Sequence, residues 1–347
     1  MRIEAMKLEG DRAVSLNILK TEDVVSLVRA EAFCWIDIEI SRANRELMND
    51  LLVTKLDFHP ATVDDCFQPT AYHQPKLDEE QNYRFITFLY FDQRGADEVT
   101  LRELNIYVGE TFVITIHRHA MPEYLAKFKK LPRHITEYKE RAILFLHHVL
   151  HVITEGFTPI LRQIQRSSDE LEISILRSRG QRTVSLNPFK REEHLTDMRR
   201  ILRSRQALVV LRRTIFGERE IIGELINEFD YEDAPESSEE IAIYFRDIAD
   251  HMGKFLEILE SEDRSLNHVM EMHHLVSNYR TNEIVIVLTI ISVIMLPLNL
   301  VVGFFGMNFE NMRIGGYFEH PGSWGVLGSL ALITVGLFVY FRAKEWI

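Results

Sequence analysis

The chain has 347 residues, of which 46% are hydrophobic and 27% are charged, and this length is sufficient for two globular domains. Acidic residues outnumber basic residues by 52 to 40, and the net charge of −12 argues against nucleic acid as a partner, because binding to phosphates requires a concentrated basic face. The two cysteines, Cys34 and Cys66, form no CxxC pair, so the sequence indicates neither a disulfide framework nor a thiolate zinc site.

The first third of the chain, residues 1–135, is predicted to be an α/β domain. Segments rich in aromatic and β-branched residues predict strands at 33–38, 83–91 and 104–108, and Gly109-Glu110 predicts a tight turn into a further strand at 111–116. Helices are predicted from Ser41 to about Leu56 and from Pro60 to Phe67. The expected fold of this region is therefore α+β, with a mixed sheet flanked by helices.

Residues 136–236 are predicted to form a helical hairpin, because the apolar residues change to a period of 3.6 from Pro122 onward. One helix is predicted from about Thr136 to Arg179, where Gly180 ends it. A second is predicted from about Arg191 to Glu228, and the acidic segment 230–236 ends that helix. The charged outer faces of both helices are typical of a solvated surface.

A third helix, at 237–305, is predicted to be very long. Ser237 and Glu240 form a capping-box pattern, and no proline follows until Pro297. The result is one continuous helix from about Glu239 to Phe305, on the order of 100 Å long at 1.5 Å per residue. Such a helix needs neighbours in water, and further copies of itself are the simplest source. The alternative is a stalk that only holds a domain away from a bilayer.

The end of this helix is predicted to cross a membrane. Residues 284–305 contain no charged side chain and can span a hydrocarbon core of about 30 Å. A second uncharged run, 324–341, predicts a return span at 324–342, after an external loop at 306–323. Both termini then lie on one side of the membrane.

Basic residues predict that this side is the cytoplasm. Arg280 precedes the first span, Arg342 and Lys344 follow the second, and the loop between the spans contains only Arg313. Residues 343–347 form a short basic tail. The first twelve residues lack the apolar core of a secretory signal, so we expect the large N-terminal part to remain in the cytoplasm.

One face of the first span differs from the rest of the helix. At 100° per residue, seven positions fall within about a third of the helix circumference and carry every amide and hydroxyl of the span. This polar stripe consists of Asn282, Val285, Thr289, Ser292, Leu296, Asn299 and Gly303. Because polar groups are costly against lipid, the stripe should face protein or a water-filled path. Hydrogen bonding between packed helices is the alternative explanation.

Two spans cannot enclose a pore, so conduction would require an oligomer with this helix on its axis. Val285, Leu288 and Leu296 would then form apolar rings that block flow by dewetting. Asn308 would lie at the outer mouth, where neutral amide oxygens can contact the tightly held hydration shell of Mg²⁺. Pro297 either kinks the helix or contributes to gating.

Several motifs resemble the CorA family of divalent-cation channels, the two-span proteins with a Gly-Met-Asn signature. The matching segments are Ser277–Glu283, Met295–Leu298, Gly303–Met312 with Gly306-Met307-Asn308, Tyr244–Asp247 with Asp250-His251, His59–Asp65, and Pro75-Lys76. The resemblance implies a funnel-shaped homopentamer in the inner (cytoplasmic) membrane, with its stalk helices lining the pore. It also implies uptake of Mg²⁺ or Co²⁺ driven by membrane potential, without an organic cofactor.

The resemblance further implies sites for cations. Gly306, Met307 and Asn308 would form the selective pore mouth. Asp65 and Asp247, with Asp64 and Asp250 as weaker candidates, would bind regulatory Mg²⁺ between neighbouring subunits. Carboxylates that face each other repel unless a cation bridges them, so loss of Mg²⁺ would loosen the interface and open the pore. Alternatively, Asp247 pairs with a basic neighbour such as Arg246.

Other features leave the transported ion open. Arg313–Gly316 replaces the Pro-Glu-Leu loop of the magnesium channels and is nearer to the zinc-transporting ZntB branch, although that branch usually replaces the signature methionine.

The histidines at 147, 148, 151, 273 and 274 are predicted to be structural or solvated, because no pair has a third ligand nearby in sequence. The sequence contains no P-loop, HExxH or GxSxG motif, so an enzyme is not expected. Proton-coupled zinc uptake and a non-conducting oligomeric scaffold remain the alternatives.

Overall fold

The computed structural model describes residues 1–9, 12–17, 20–68, 74–92, 100–131, 140–179, 189–230, 236–306 and 321–343. Residue contacts divide the chain into two compact units. The first unit comprises Met1–Glu170 and Met198–Asn267, and the second comprises Leu171–Asp197 and His268–Ile347.

The first unit contains a seven-stranded mixed sheet with the order β2-β1-β3-β7-β6-β5-β4. Its strands are β1 (Arg2–Glu9), β2 (Arg12–Asn17), β3 (Cys34–Glu39), β4 (Lys76–Glu79), β5 (Arg84–Asp92), β6 (Thr100–Val108) and β7 (Phe112–His117). Strands β3 and β7 pair in parallel, and the other neighbours are antiparallel. The mixed sheet and the hairpin at Gly109 are confirmed, since the Gly109 N–H donates to the Phe112 carbonyl at 3.0 Å. Strands β1, β2 and β4 were not predicted.

Nine α-helices are present in the described residues, together with a 3₁₀ turn at Arg42–Asn44 and a π-helical turn at Asp50–Lys55. They are α1 (Thr21–Val28), α2 (Arg45–Asn49), α3 (Pro60–Asp65), α4 (Pro122–Phe128), α5 (Arg141–Glu155), α6 (Thr158–Arg179), α7 (Phe189–Phe229), α8 (Glu236–Gly306) and α9 (Pro321–Ala343). The continuous long helix is confirmed, because α8 runs for 71 residues without a break. Pro297 lies inside it.

The prediction of one helix from Thr136 to Arg179 is wrong. The chain leaves the helix after Glu155, turns at Gly156 and Phe157, and begins α6 at Thr158. Pro159 explains the break, because a proline in a continuous helix would lack an N–H for the Glu155 carbonyl and its ring would clash with that group. In the first turn of a new helix, the same residue is readily accommodated.

The sheet is covered on both faces by separate apolar clusters. On one face, Trp35 packs its ring edge-on to Phe128 and tilted against Phe145, with ring centroids 6.2 and 5.4 Å apart. On the other face, Ile36 and Ile38 pack with residues from the helical segment 45–65. The side chains of β3 alternate between these clusters, as the period of two in a strand requires.

The Trp35 cluster also includes buried residues from α5, α7 and the first part of α8. From α8 it contains Ile241, Phe245, Ile248, Met252, Leu259 and Leu266. Their spacing of mainly three, four or seven residues places them on one side of the helix. The core therefore holds α5 and the first part of α8 in a defined relative orientation, which determines the surroundings of residues 244–251.

Candidate functional site

The polar stripe lies on an exposed face of α8. All seven of its residues are exposed in the chain, and so is the gate candidate Leu288. Leu296 is more exposed than Val285 or Leu288, at 69%. A stripe available to solvent or to another chain is consistent with either of the predicted roles, pore lining or helix packing.

The less accessible residues of the span lie on the other side of α8. Among the described residues at 284–300 they are Ile286, Ile290, Ile294, Pro297 and Leu298, and Ile290 is buried. At 100° per residue, this set is centred roughly opposite the polar stripe. The helix thus turns one apolar face toward its own chain and leaves the face with the amides and hydroxyls uncovered.

Burial distinguishes this span from an ordinary core helix. Two described segments are long and apolar enough to cross a membrane, Arg141–Ile175 and Ser238–Leu300. The most apolar window of the first is 67% buried, whereas that of the second is 6% buried. The first segment, which is interrupted at Gly156, is therefore part of the protein core, and the second exposes an apolar surface that water would not tolerate.

Within the stripe, the Thr289 hydroxyl donates to the Val285 carbonyl at 2.7 Å. Its proton therefore forms a hydrogen bond within the helix, and its oxygen can still accept a hydrogen bond from outside. A Cβ atom added at Gly303 would meet no other atom within 4 Å. Gly306 is the last residue of α8. Met307 and Asn308 lie outside the described residues.

The first pair of predicted regulatory carboxylates is already neutralised within the chain. Arg45 contacts Asp64 at 2.6 Å, and the Lys76 ammonium contacts Asp65 at 2.5 Å and Asp78 at 2.6 Å. Burial alone would lower the pKa of Lys76, but its hydrogen bonds to Asp65 and Asp78 raise that pKa overall. Asp65 is the less exposed of the two predicted carboxylates, because α3 ends there beside β4.

The second pair lies on α8, where both Asp247 and Asp250 are exposed. The basic neighbour of Asp247 is not Arg246, which forms its ion pair with Asp230. The carboxylate of Asp247 instead lies 3.9 Å from Nε2 of His251, one turn further along the helix.

A third residue joins this pair from another helix. His151, in the last turn of α5, has a ring nitrogen that lies within 4.8 Å of the ligand atoms of Asp247 and His251. The rings of His151 and His251 are 6.3 Å apart between centroids, and His147 lies one turn before His151 at 5.9 Å. We name His151, Asp247 and His251 the histidine-aspartate cluster.

Sequence reasoning missed this cluster. His151 was predicted to be structural or solvated, and the motif containing Asp247 and His251 was interpreted separately. The four-residue spacing on both helices was an available signal, whereas the meeting of the helices depends on the core packing described above.

Known proteins resemble the chain over most of its length. A family model described as CorA-like Mg²⁺ transporter protein matches residues 30–343. The putative metal ion transporter YfjQ of Bacillus subtilis is 28% identical over 326 residues, which are 91% of this chain and 90% of that protein. The cobalt/magnesium transport protein CorA of Thermotoga maritima is 26% identical, over 83% of this chain and 77% of that protein.

Solved structures share the fold. The complete CorA magnesium transporter of Methanocaldococcus jannaschii matches with a TM-score of 0.74 and 18% identity, covering 100% of this chain and 99% of that one. The ZntB cytoplasmic domain of Vibrio parahaemolyticus matches with a TM-score of 0.53 and 12% identity, covering 81% of this chain and 100% of that one.

Proposed function

The chain belongs to the CorA-like Mg²⁺ transporter family, whose model matches residues 30–343, and from this membership we propose that it conducts Mg²⁺ through the inner membrane along the polar stripe of α8. Members of this family are divalent-cation transporters and not enzymes. The single observation that carries the finer proposal is the exposed stripe on an uninterrupted helix of 71 residues.

The stripe can line a path only if several copies of α8 surround one axis. In the proposed homopentamer, five copies turn their amides and hydroxyls toward water and their apolar faces toward α9 and lipid. This arrangement satisfies the polar groups, which would be costly against hydrocarbon. Both termini lie in the cytoplasm in this arrangement, and residues 321–343 provide the return span.

Membrane potential is sufficient to drive the proposed uptake. Moving one charge across 100 mV changes its free energy by about 2.3 kcal/mol, so a divalent ion gains roughly 4.6 kcal/mol on entering a negative cell interior. The pore therefore needs no coupled reaction. Its protein side chains have only to replace part of the water around the ion and to close when uptake must stop.

Selection of the ion and closure of the pore are assigned to different segments of the chain. Gly306, Met307 and Asn308 form the proposed outer mouth, where amide oxygens contact hydrated Mg²⁺ and do not bind it as tightly as carboxylates would. Deeper in the span, Val285, Leu288 and Leu296 form apolar rings. A narrow ring of this kind excludes water, and therefore ions, until it widens.

Cytosolic Mg²⁺ is the proposed signal for closure. In this proposal, Asp65 of one subunit and Asp247 of its neighbour share a cation, with Asp64 and Asp250 nearby. Because Lys76 already compensates Asp65, the divalent ion acts mainly on the exposed Asp247 and its surroundings. Loss of the ion leaves like charges facing each other and loosens the subunit contact.

Ion flux into vesicles that contain the purified full-length protein tests the proposed function. We expect uptake of Mg²⁺, also of Co²⁺, and weaker uptake of Zn²⁺. Changing Thr289→Leu or Asn299→Leu should reduce Mg²⁺ flux by about tenfold or more, because each adds an apolar ring to the path. Val287→Leu is the matched control, since it lies at the level of Thr289 but about 160° away around the helix.

Three results would contradict the proposal. Dominant Zn²⁺ uptake would favour the zinc transporter, which is also the alternative that the loop at Arg313–Gly316 supports. Equal loss of flux in Val287→Leu and Thr289→Leu would show that the polar stripe does not line the path of the ion. Absence of flux for every ion, in an oligomer that is otherwise intact, would favour the non-conducting scaffold.

A further inference from the structure

The histidine-aspartate cluster combines three metal-binding side chains from two helices of one chain. Every pair of its ligand atoms lies within 4.8 Å, and the Asp247 carboxylate and His251 Nε2 are 3.9 Å apart. His151 and His251 are half-buried, whereas Asp247 is exposed. The cluster is thus partly shielded from water and still accessible to an ion.

The helices hold these side chains on rigid backbone. On α8, a separation of four residues places Asp247 and His251 on the same face, one turn apart. Between and beside them, Phe245, Ile248 and Met252 are buried in the core, so the helix cannot rotate without disrupting its packing. His151 is held in the same way by the buried residues that surround it on α5.

The spacing suits a small metal ion after a modest rearrangement of side chains. In a tetrahedral site with metal–nitrogen distances of about 2.0–2.1 Å, ligand atoms lie roughly 3.4 Å apart. The pair on α8 is already close to this value, and since every separation lies within 4.8 Å, none must shorten by more than about 1.4 Å. Rotation of the histidine and aspartate side chains can supply such a change without moving either helix.

The types of ligand indicate which ions fit. Two imidazoles and one carboxylate suit Zn²⁺, Co²⁺ and Ni²⁺, whereas Mg²⁺ prefers oxygen ligands and keeps most of its water. Three protein ligands leave a fourth position for water. Beside the cluster, His147 contacts the rings of Tyr244 and Phe245, with centroids 5.3 and 5.6 Å away, so aromatic rings border one side of the cluster.

We propose that His151, Asp247 and His251 bind one transition-metal ion per chain, at a site that is distinct from the membrane path and shares only Asp247 with the proposed Mg²⁺ site between subunits. Binding at this site does not rest on the proposed transport. If both are present, they share Asp247, so a transition-metal ion bound here competes with Mg²⁺ for the carboxylate and alters the response of the channel to cytosolic Mg²⁺.

An ordinary surface pair offers a direct comparison on the same helix. His268 and Glu271 also approach to 3.9 Å, and both are well exposed. Such pairs contribute little by themselves and bind metal weakly, because they supply only two ligands. His268 therefore provides the control for a histidine that faces a carboxylate without a third ligand from another helix.

The test is a titration of purified full-length protein with Co²⁺ in a large excess of Mg²⁺, followed by the visible absorption of Co²⁺ bound to imidazole. We expect one ion per chain, displaced by Zn²⁺. His151→Gln and His251→Gln should each weaken binding by about tenfold or more, since each removes a ligand. His268→Gln should leave the affinity unchanged, and thermal unfolding without metal should verify that all three variants fold.

Unchanged Co²⁺ affinity in folded His151→Gln and His251→Gln would overturn the inference, as would an equal loss in His268→Gln. Mg²⁺ flux measured on the same preparations separates this inference from the proposed function. Loss of Co²⁺ binding with normal flux refutes only the metal site. Normal Co²⁺ binding in a wild-type protein without flux refutes only the transport.

Discussion

At the scale of single residues, the core contains a carboxyl group whose burial has a measurable consequence. Glu218 of α7 is fully buried, and burial raises its pKa well above the usual range. Its Oε1 atom accepts the Leu89 backbone N–H at 2.9 Å. Strand β4 pairs with β5 only as far as Thr87. Glu218 therefore accepts the hydrogen bond of the Leu89 N–H beyond the end of β4. The carboxyl group thus supplies a hydrogen-bond acceptor at the edge of the sheet, in a site whose burial favours its protonated form.

We expect Glu218→Gln to stabilise the protein at neutral pH. Burial raises the folded pKa of Glu218 above the unfolded value of about 4.5, so the folded chain binds more protons than the unfolded chain between the two pKa values. The free energy of unfolding therefore falls as the pH rises through that range, by up to about 1.4 kcal/mol per pH unit. Glutamine does not ionise, and its Oε1 can still accept from Leu89. The unfolding temperature of the variant should therefore exceed that of the wild type at pH 7.

The same gain should disappear near pH 4, where glutamic acid is neutral in both states. Thermal unfolding of the full-length protein in detergent at several pH values measures this difference. Glu220→Gln, an exposed position on the same helix, should show no comparable gain. A Glu218→Gln variant that is less stable than the wild type at pH 7 would contradict a destabilising effect of the raised pKa.

At the scale of elements, two glycines in helical regions have opposite surroundings. A Cβ atom added at Gly253, inside α8, would meet only a guanidinium nitrogen of Arg219 at 4.0 Å. A Cβ atom added at Gly156, where α5 ends, would overlap the Tyr124 hydroxyl and approach the Ile153 carbonyl to 2.9 Å. Gly253 therefore weakens a helix that has room for a side chain at this position. Gly156 permits Tyr124 to lie close to the backbone at the turn between α5 and α6.

We therefore expect Gly253→Ala to raise the unfolding temperature and Gly156→Ala to lower it. In a helix interior, alanine is favoured over glycine by about 1 kcal/mol, chiefly because glycine loses more backbone entropy on folding. At Gly156 the overlap with Tyr124 outweighs that gain. Differential scanning calorimetry of both variants measures the effects, and a stabilising Gly156→Ala would show that the turn can adjust around the added methyl group.

At the scale of the whole molecule, α8 belongs to both compact units. Its first part packs in the core that contains the sheet, and its last part carries the polar stripe. The backbone between these two parts is one continuous helix. In the proposed oligomer, this continuity connects the cation sites in the cytoplasm with the pore.

Limited proteolysis tests the proposed regulation by Mg²⁺. We expect Mg²⁺ to protect the wild-type oligomer and to lose this effect in the double variant Asp65→Ala, Asp247→Ala, because the bridging carboxylates are gone. The double variant Glu257→Ala, Glu260→Ala removes two exposed acids from α8 and should retain protection. If Mg²⁺ protected both double variants equally, Asp65 and Asp247 would not be the regulatory ligands.

Local patterns in the sequence were sufficient to predict the mixed sheet, the hairpin at Gly109, the long α8 and the family. Each of these depends on residues that are close together in the chain, such as a run without charges or the signature at Gly306. Strands β1, β2 and β4 were missed because they lie toward the sheet edges, where few neighbours select for strongly apolar residues. The break before α6 was missed because the 3.6 period continues across Pro159.

The amino-acid sequence alone thus determined that a long amphipathic helix ends in an apolar span with polar groups on one face, because helical periodicity follows from chain order. Only the tertiary structure decided that Lys76 neutralises Asp65, that Glu218 completes the edge of β5, and that His151 meets Asp247 and His251. The contacts of Glu218 with Leu89 and of His151 with Asp247 and His251 join residues far apart in the chain. They depend on how the helices pack around a common core, which no local pattern of residues specifies.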